Sequence, residues 1–467
     1  MIRALWAQVQ ALTAQVQTLT GQVQTLTARV MELEGQLKLN SRNSSQPPSS
    51  DPPSMKLPPK RIPTGRKPGG QPGHKGVKRE LLPADRVDEF EDHWPTECEG
   101  CHGQLLRGSR TEVGEPRRHQ VTEIPPVTAH VTEHRLHAQM CDRCGHATQA
   151  AFPEGVPMGA FGPRLHAVVA LFTGAYRISK RVAVEALGDL FGVTLAVGSI
   201  SNAEQAMSKA LAGPVEEARR YVSEQSVVNA DETSWRERRT RAWLWIAATP
   251  AVAIFLIHAT RGKMGAKELL RGFSGILVTD RWSGYSYTSV DKRQVCWAHL
   301  IRDFTFIAET KATQQIGVEL QRLSKVLFRQ WRRVRDGTLS RLDFQRQVAL
   351  LKIAFEGQLE LGEGRGVPKV SGMCSEILRV FPALWTFVHV PGVEPTNNFA
   401  ERCLRWAVLW RKTSFGTHSS DGSRFAERML TTVTSLKLQD RNVLDFLVQA
   451  SEAGLFCQRP PSLVPTP

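Results

Sequence analysis

Acid is scarce in this sequence. Its 467 residues hold 45 Asp and Glu against 60 Lys and Arg, a formal charge of +15 at pH 7 and a pI near 9.7. The imbalance does not specify a fold, but it favours a polyanionic partner, either nucleic acid or an acidic membrane surface. A long apolar run is also missing. The most apolar stretch, from Ala242 to Ala259, is broken at Thr249 and Pro250 and is rich in Trp, Ile, Val and Phe. It predicts two strands joined by a tight turn, not a spanning helix. The N-terminus lacks the charged start and apolar block of a signal peptide; it is a polar, Gln-rich repeat. These absences argue against a membrane protein and predict a soluble, cytoplasmic one. Hydrophobic residues still make up 41% of the chain, enough for a core, and the length suits two or three folded units.

Cysteine is sparse as well, with eight in all. Four of them fall in two C-x2-C pairs, Cys98 with Cys101 and Cys141 with Cys144; Cys296, Cys374, Cys403 and Cys457 are scattered. In a reducing cytosol such pairs point to metal and not to disulfides. The 39 residues between the pairs exceed the usual zinc-ribbon gap. A four-thiolate zinc site explains the pattern best, because each turn presents two sulfurs to one tetrahedral ion. His102 and His146 are alternative ligands, and four unligated thiols are the bland reading.

What is present begins with a heptad. Ile2, Val9, Val16, Val23, Val30 and Leu37 occupy a positions, and Leu5, Leu12, Leu19, Leu26 and Leu33 occupy d positions. A β-branched residue at a with Leu at d predicts a parallel two-stranded coiled coil. The e and g sites are mostly Thr and Gln, so self-pairing is the simple expectation. From residue 40 the composition turns to Asn, Ser, Pro, Gly and basic residues, a linker that cannot bury a core. Lys56 to Arg79 carries eight Lys and Arg and no acid. Gly65-Arg66-Lys67-Pro68-Gly69-Gly70 resembles short basic hooks that lie in minor grooves, which makes Arg66, Lys67 and Lys75 candidate DNA contacts. A solvated spacer is the alternative.

Between the cysteine pairs, Val127 to Gln139 alternates as short strands would. Arg181 to Phe191 and Ser199 to Leu211 read as two helices joined around Gly192 and Gly198, a helix-turn-helix candidate that ordinary helix packing explains equally well. From residue 226 the period changes. Val227 to Asp231 is an apolar run ending in an acid. The hairpin 242–259 follows, then a helix over Lys263 to Phe273, then Ile276 to Asp280, again ending in an acid. In α/β sheets chemistry gathers at strand ends. Downstream, Pro395-Thr396-Asn397-Asn398 starts a helix with Glu401 in its first turns, and the basic Arg405, Arg411 and Lys412 follow it as further candidate DNA contacts. Three carboxylates on separate elements can converge on hard divalent ions, which stabilise the attacking and leaving oxygens of a phosphodiester. Each acid alone is more simply a cap or turn residue; the argument rests on the three together.

These segments resemble a known family. Asn229-Ala230-Asp231-Glu232-Thr233, Thr279-Asp280-Arg281-Trp282-Ser283-Gly284-Tyr285, Cys296-Trp297-Ala298-His299, Asn397-Asn398-Phe399-Ala400-Glu401-Arg402 and Arg411-Lys412-Thr413-Ser414-Phe415-Gly416 resemble the insertion-sequence-66 transposase family. So do the heptads, the basic Gly-rich linker and the paired cysteines, in the same order. The resemblance implies a DDE-type transposase that binds element ends and cleaves and transfers DNA strands with Mg²⁺ or Mn²⁺. It assigns the acids to Asp231, Asp280 and Glu401 on a ribonuclease-H-like core. It also implies a mostly helical insertion from Arg302 to about Val393, and Leu320 to Arg346 is helix-like and basic. Cys296 and His299 match a C-x2-H element of related transposases, with packing as the default role.

The expected chain is thus multidomain: a coiled coil (1–39), a basic linker (40–84), a small zinc-binding module (85–150) and a helical region (151–225). An α/β ribonuclease-H-like catalytic core (226–440) with a helical insertion (302–393) and a C-terminal tail (441–467) complete it. Expected partners are the element's terminal inverted repeats, target DNA and a second copy of the chain; accessory proteins of the same element are further candidates. Bound to DNA, the protein belongs at the nucleoid. The alternative is a non-catalytic, zinc-dependent DNA-binding protein of transposase ancestry.

Overall fold

The computed structural model describes residues 2–37, 80–105 and 115–465. The chain divides into two compact units. The described residues 80–105 and 115–128 form one of them; 2–37 with 129–465 form the other.

The first unit has little regular structure. A single turn of 3-10 helix spans Ala84–Arg86. Leu82 is tied to Gln120, donating its N–H to Oε1 at 2.8 Å and accepting from Nε2 at 3.0 Å. Glu97 and Gln104 form a β-bridge around the first cysteine pair.

The second unit opens with helix α1, Ile2–Leu37. Its apolar seam faces water: Leu12, Val16, Leu19, Val23, Leu26 and Val30 are each more than half exposed. The Thr residues beside them turn inward on the helix, Thr18, Thr20, Thr25 and Thr27 bonding the carbonyl four residues back. The predicted strands over 127–139 reduce to one short hairpin, β1 (Ala138–Met140) against β2 (Ala147–Gln149). Helix α2 (Pro163–Ala170) continues through one π turn, Leu171–Ala175. Next come α3 (Lys180–Phe191), α4 (Val197–Ala210) and α5 (Ala212–Ser223). Ser179 caps α3, and Gly192 ends it in the left-handed conformation, φ +66°, as glycine does without steric penalty. These are the two helices expected around Gly192. Of them, α4 packs on α2 and buries Ile200, Ala203 and Met207.

The sheet follows: β3 (Val227–Glu237), β4 (Thr240–Ala248), β5 (Ala253–His258), helix α6 (Lys263–Leu269), β6 (Ile276–Thr279) and β7 (Arg293–Val295). The spatial order is β5-β4-β3-β6-β7. β3, β4 and β5 are antiparallel neighbours, while β6 joins β3, and β7 joins β6, in parallel. The hairpin over 242–259 is present as β4 and β5. However, β3 does not stop at Asp231; it runs on to Glu237 and turns into β4 through Arg238-Arg239. The helix expected over 263–273 ends at Leu269.

Five helices then leave the sheet and return: α7 (Trp297–Glu309), α8 (Gln314–Arg335), α9 (Arg341–Glu363), α10 (Pro368–Arg379) and α11 (Thr386–His389). They share a core of their own. Trp297, Phe355 and Trp385 pack edge to face with centroids 5.2 to 5.6 Å apart, contacts that add specific geometry to large buried area. The single helix expected over 320–346 is two. Asp336 accepts from the N–H and hydroxyl of Thr338, Gly337 takes φ +78°, and Ser340 caps α9. That Asx turn outcompetes the helix.

Helices α12 (Asn398–Ser414), α13 (Ser420–Leu438) and α14 (Val443–Leu455) close the fold. α12 lies on β3 and β4, and α13 on β5. Residues 441–467, expected as a tail, carry α14, whose Phe446, Leu447 and Ala450 are buried. Between α12 and α13, Gly416 passes so close to β3 that a Cβ there would overlap the Arg236 carbonyl oxygen. This lets Thr417 bond the strand.

Both outer strands are covered. On the free side of β5, Ile257 N–H donates to Glu427 Oε1 (2.5 Å), Phe255 N–H to Thr431 Oγ1 (3.0 Å) and Ala253 N–H to Ser435 Oγ (3.0 Å). Gln439 Nε2 donates to the Ala251 carbonyl at 3.0 Å. Four helical residues rise about 6 Å and two strand residues about 6.6 Å, so every fourth side chain of α13 meets every second amide of β5. On β7, Gln294 Oε1 accepts from Phe387 N–H (2.8 Å), and Thr386 donates to the Arg293 carbonyl (2.5 Å). No helix among the described residues is long and apolar enough to cross a membrane.

Candidate active site

The parallel pairing of β3 with β6 covers only Val227–Asn229 against Ile276–Val278. Past that point β3 pairs with β4 alone, and β6 ends. Asp231 and Asp280 therefore stand where the two strands part. Each carboxylate accepts one backbone N–H at 2.9 Å: Asp231 Oδ1 from Glu232, and Asp280 Oδ1 from Trp282. Glu401 lies in the first turn of α12 and is exposed.

The start of α12 is fixed by a residue that the sequence reading took only as a helix start. Asn397 is 1% exposed. Its Nδ2 donates to the Ala230 carbonyl (2.8 Å), its Oδ1 accepts from Asn229 Nδ2 (3.0 Å), and its N–H donates to Cys296 Sγ (3.1 Å). Nearby, Cys296 N–H donates to the Thr279 carbonyl (2.8 Å), and Trp297 N–H to the Pro395 carbonyl (2.9 Å). The elements that carry the three acids are thus joined by backbone and amide bonds beneath the carboxylates.

Charge accumulates here. Burial pushes the Asp231 carboxyl well above the usual range, and the negative charges of Glu232, Asp280 and Glu401 push it further. Glu232 points away from Asp231 and is almost fully buried; it accepts from Tyr285 OH (2.7 Å) and from Arg261 Nε (3.0 Å) and Nη2 (2.9 Å). Burial first, then Asp280, raise it to about 7 against those two donors. Arg261 in turn lies over Trp282, 4.0 Å from the ring centroid, and accepts from Trp282 Nε1 at its carbonyl (3.1 Å). The loop after Asp280 is pinned on its other side by Arg281, which bonds Asp303 (3.0 Å) and Glu376 of the helical insertion. The sequence signal for Glu232 was an acid beside an acid in an apolar strand, where alternation sends one of the pair inward.

Among the described residues, one group of three metal-capable side chains brings its ligand atoms within 4.8 Å of one another: Cys296, His299 and Glu401. Asp231 and Asp280 lie outside that group. His299 Nδ1 is 3.9 Å from Glu401 Oε1, and it is buried without a hydrogen-bond partner.

The model of the transposase IS66 family matches residues 159–424, more than half of the chain. The chain belongs to that family. The matched stretch contains the whole sheet, the helical insertion, all three acids and the Cys296–His299 pair. Residues 1–80 match a family of unknown function. Two relatives are uncharacterized proteins of Sinorhizobium fredii. One, y4qI, is 25% identical over 406 residues, 78% of this chain and 72% of its own length. The other, y4hP, is 25% identical over 389 residues, 74% and 68% of the two chains.

Outside the segment matched to the transposase family, the two C-x2-C pairs fold alike. Cys98 N–H donates to the Gly103 carbonyl (2.9 Å) and accepts at its carbonyl from His102 N–H (2.9 Å). Cys141 does the same with His146 (2.9 Å) and Gly145 (2.8 Å), between β1 and β2. Backbone N–H groups of Gly100 and Cys101 lower the Cys98 thiol, and those of Arg143 and Cys144 lower Cys141. The two pairs belong to different units. Of the candidate DNA contacts, Arg66, Lys67 and Lys75 lie outside the described residues. Arg405 and Lys412 are exposed on α12. Arg411 is half-buried, and its Nη1 donates to Thr233 Oγ1 (2.9 Å) and to the Ser234 carbonyl (2.6 Å), tying α12 to β3.

Proposed function

We propose that this transposase cuts the ends of an insertion sequence and joins them to target DNA, with Asp231, Asp280 and Glu401 as its metal-holding carboxylates on a ribonuclease-H-like core. The observation that carries the reading is electrostatic. Asp280 and Glu401, 49 and 170 residues beyond Asp231 in sequence, both raise its carboxyl. A buried carboxyl whose ionisation is disfavoured by neighbouring negative charges marks a place where a cation restores balance. All three donors are carboxylate oxygens, the set that hard ions such as Mg²⁺ or Mn²⁺ take. When bound, such ions supply Lewis-acid stabilisation to the attacking and leaving oxygens of the phosphodiester. The chain's own part is to hold the acids in place through Asn397 and the loop after Asp280. The strand order, three antiparallel strands extended by two parallel ones, supports the ribonuclease-H-like reading.

Arg405 and Lys412, with exposed Lys325, Arg329, Arg332 and Arg335 of α8, supply phosphate contacts. The C-x2-C turns hold structural Zn²⁺, with backbone N–H groups favouring the thiolates of Cys98 and Cys141. The exposed α1 seam pairs with a second copy, giving each DNA end a subunit.

The deciding experiment is metal-dependent cleavage of element-end DNA by purified protein. Asp231→Asn, Asp280→Asn and Glu401→Gln each lose at least ~100-fold in rate while DNA binding is kept, and the losses do not add, because the ligands act as one unit. Glu394→Gln, at the rival acid seven residues before Glu401 in the approach to α12, cuts like wild type. Wild-type rates in all three variants, or loss in Glu394→Gln with normal cutting by Glu401→Gln, would overturn the assignment.

A further inference from the structure

We propose that Cys296, His299 and Glu401 form a second metal site, one that takes Zn²⁺ and competes for Glu401 with the hard-metal site. The proposal rests on the reading of Glu401 as the third catalytic carboxylate. It starts from the donor set. A thiol, an imidazole and a carboxylate are the ligands of zinc, whereas Mg²⁺ takes oxygen. Their ligand atoms already lie within 4.8 Å of one another. Tetrahedral zinc requires separations of roughly 3.3–3.8 Å. Glu401 is 40% exposed at its side chain and free to swing the remaining ångström.

Cys296 is the N-cap of α7, and the Asn397 N–H donates to its sulfur at 3.1 Å. The sulfur thus sits at the N-terminal end of a 13-residue helix, within reach of one ion shared with His299 and Glu401. His299 supplies the independent sign. Its Nδ1 is buried, faces Glu401 at 3.9 Å, and has no hydrogen-bond partner. A fourth position is left for water or a phosphate oxygen. Asp231 and Asp280 stand outside the group, so zinc bound here draws Glu401 away from them. Zinc is then an inhibitor of the reaction that Mg²⁺ supports.

The test uses the full chain, stripped of metal and refilled with Zn²⁺ alone. Elemental analysis after desalting should find one zinc more per chain in wild type than in Cys296→Ser or His299→Ala. Cys296→Ser keeps an acceptor for the Asn397 N–H, and His299→Ala leaves the thiol untouched, so a folding defect in one is checked by the other. A Co²⁺ titration should show a thiolate charge-transfer band that loses one site's intensity in Cys296→Ser. Glu401→Gln should weaken that site at least ~10-fold. In cleavage assays, each protein normalised to its own zinc-free rate, His299→Ala should need at least ~10-fold more zinc for half-inhibition. Equal zinc content in all four proteins would overturn the site, and equal zinc sensitivity would overturn the competition. If wild type binds the extra zinc but never cuts DNA, the catalytic reading falls while the site stands.

Discussion

Asn397 carries more of the site than its position suggests. An Asn at an N-cap ordinarily turns its side chain to the free amides of its own helix. Here the side chain makes no cap bond and reaches across to β3 instead. Removing it leaves the buried Ala230 carbonyl and Asn229 amide without partners, each worth about 1–3 kcal/mol. Asn397→Ala should lower the melting temperature and raise the Mg²⁺ concentration needed for half-maximal cleavage several-fold, with DNA affinity unchanged. Asn397→Asp should be worse, because it loses the donor and adds a negative charge beside three others. A melting shift with no change in metal requirement would reduce Asn397 to a packing residue. Asp280 and Glu401 stand where the sequence places them, just past β6 and in the first turn of α12, whereas Asp231 lies inside β3 and not at its end. The role of Asn397 was not legible in the sequence, because helix-capping chemistry explains an Asn before a helix without any reference to a distant strand.

Among the elements, α13 shows a pattern that sequence alone hides. Glu427, Thr431, Ser435 and Gln439 fall every fourth residue, which on its own reads as a polar face turned to solvent. They face β5, and Glu427 is half-buried there, its carboxyl raised from 4.5 to about 7, chiefly by burial. The sign of the effect follows. Between pH 4.5 and about 7 the unfolded chain gives up this proton before the folded one does, so the group's contribution to stability falls as pH rises. Glu427→Gln keeps an acceptor for Ile257 N–H and cannot titrate. Relative to wild type, the variant should gain stability with rising pH across that window, by on the order of 3 kcal/mol at most. Melting curves of both proteins at pH 5 and pH 8 check this; a constant difference would refute it. Other elements were readable in part. The β4–β5 hairpin was clear because Thr249 and Pro250 break its apolar run. The β3–β4 hairpin was not, because Arg238, at φ +55°, occupies a turn position where Asn or Gly normally gives the signal. Basic, helix-favouring side chains on both sides of Gly337 likewise concealed the break between α8 and α9.

For the whole molecule, assembly is the issue. A 36-residue helix with its seam of Leu and Val in water is incomplete by itself. Deleting residues 1–38 should lower the mass in light scattering to that of the monomer and slow paired-end joining more than single-end nicking; an unchanged mass would place the interface elsewhere. The helix over 2–37 and the strands from residue 227 were visible because each segment has a hydrophobic period of its own. The packing of α14 into the core was not, since a single amphipathic helix after a long core reads as a tail. The coverage of both sheet edges has one more consequence. With β5 shielded by α13 and β7 by the stretch around Phe387, neither side offers the row of bare amides through which strands of different molecules zip together. A chain truncated before residue 420 would lose the shield over Ala253–His258 while keeping the strand. Such fragments would precipitate and not persist as soluble rivals for the element ends, so loss of the last tenth or so of the chain removes the protein outright.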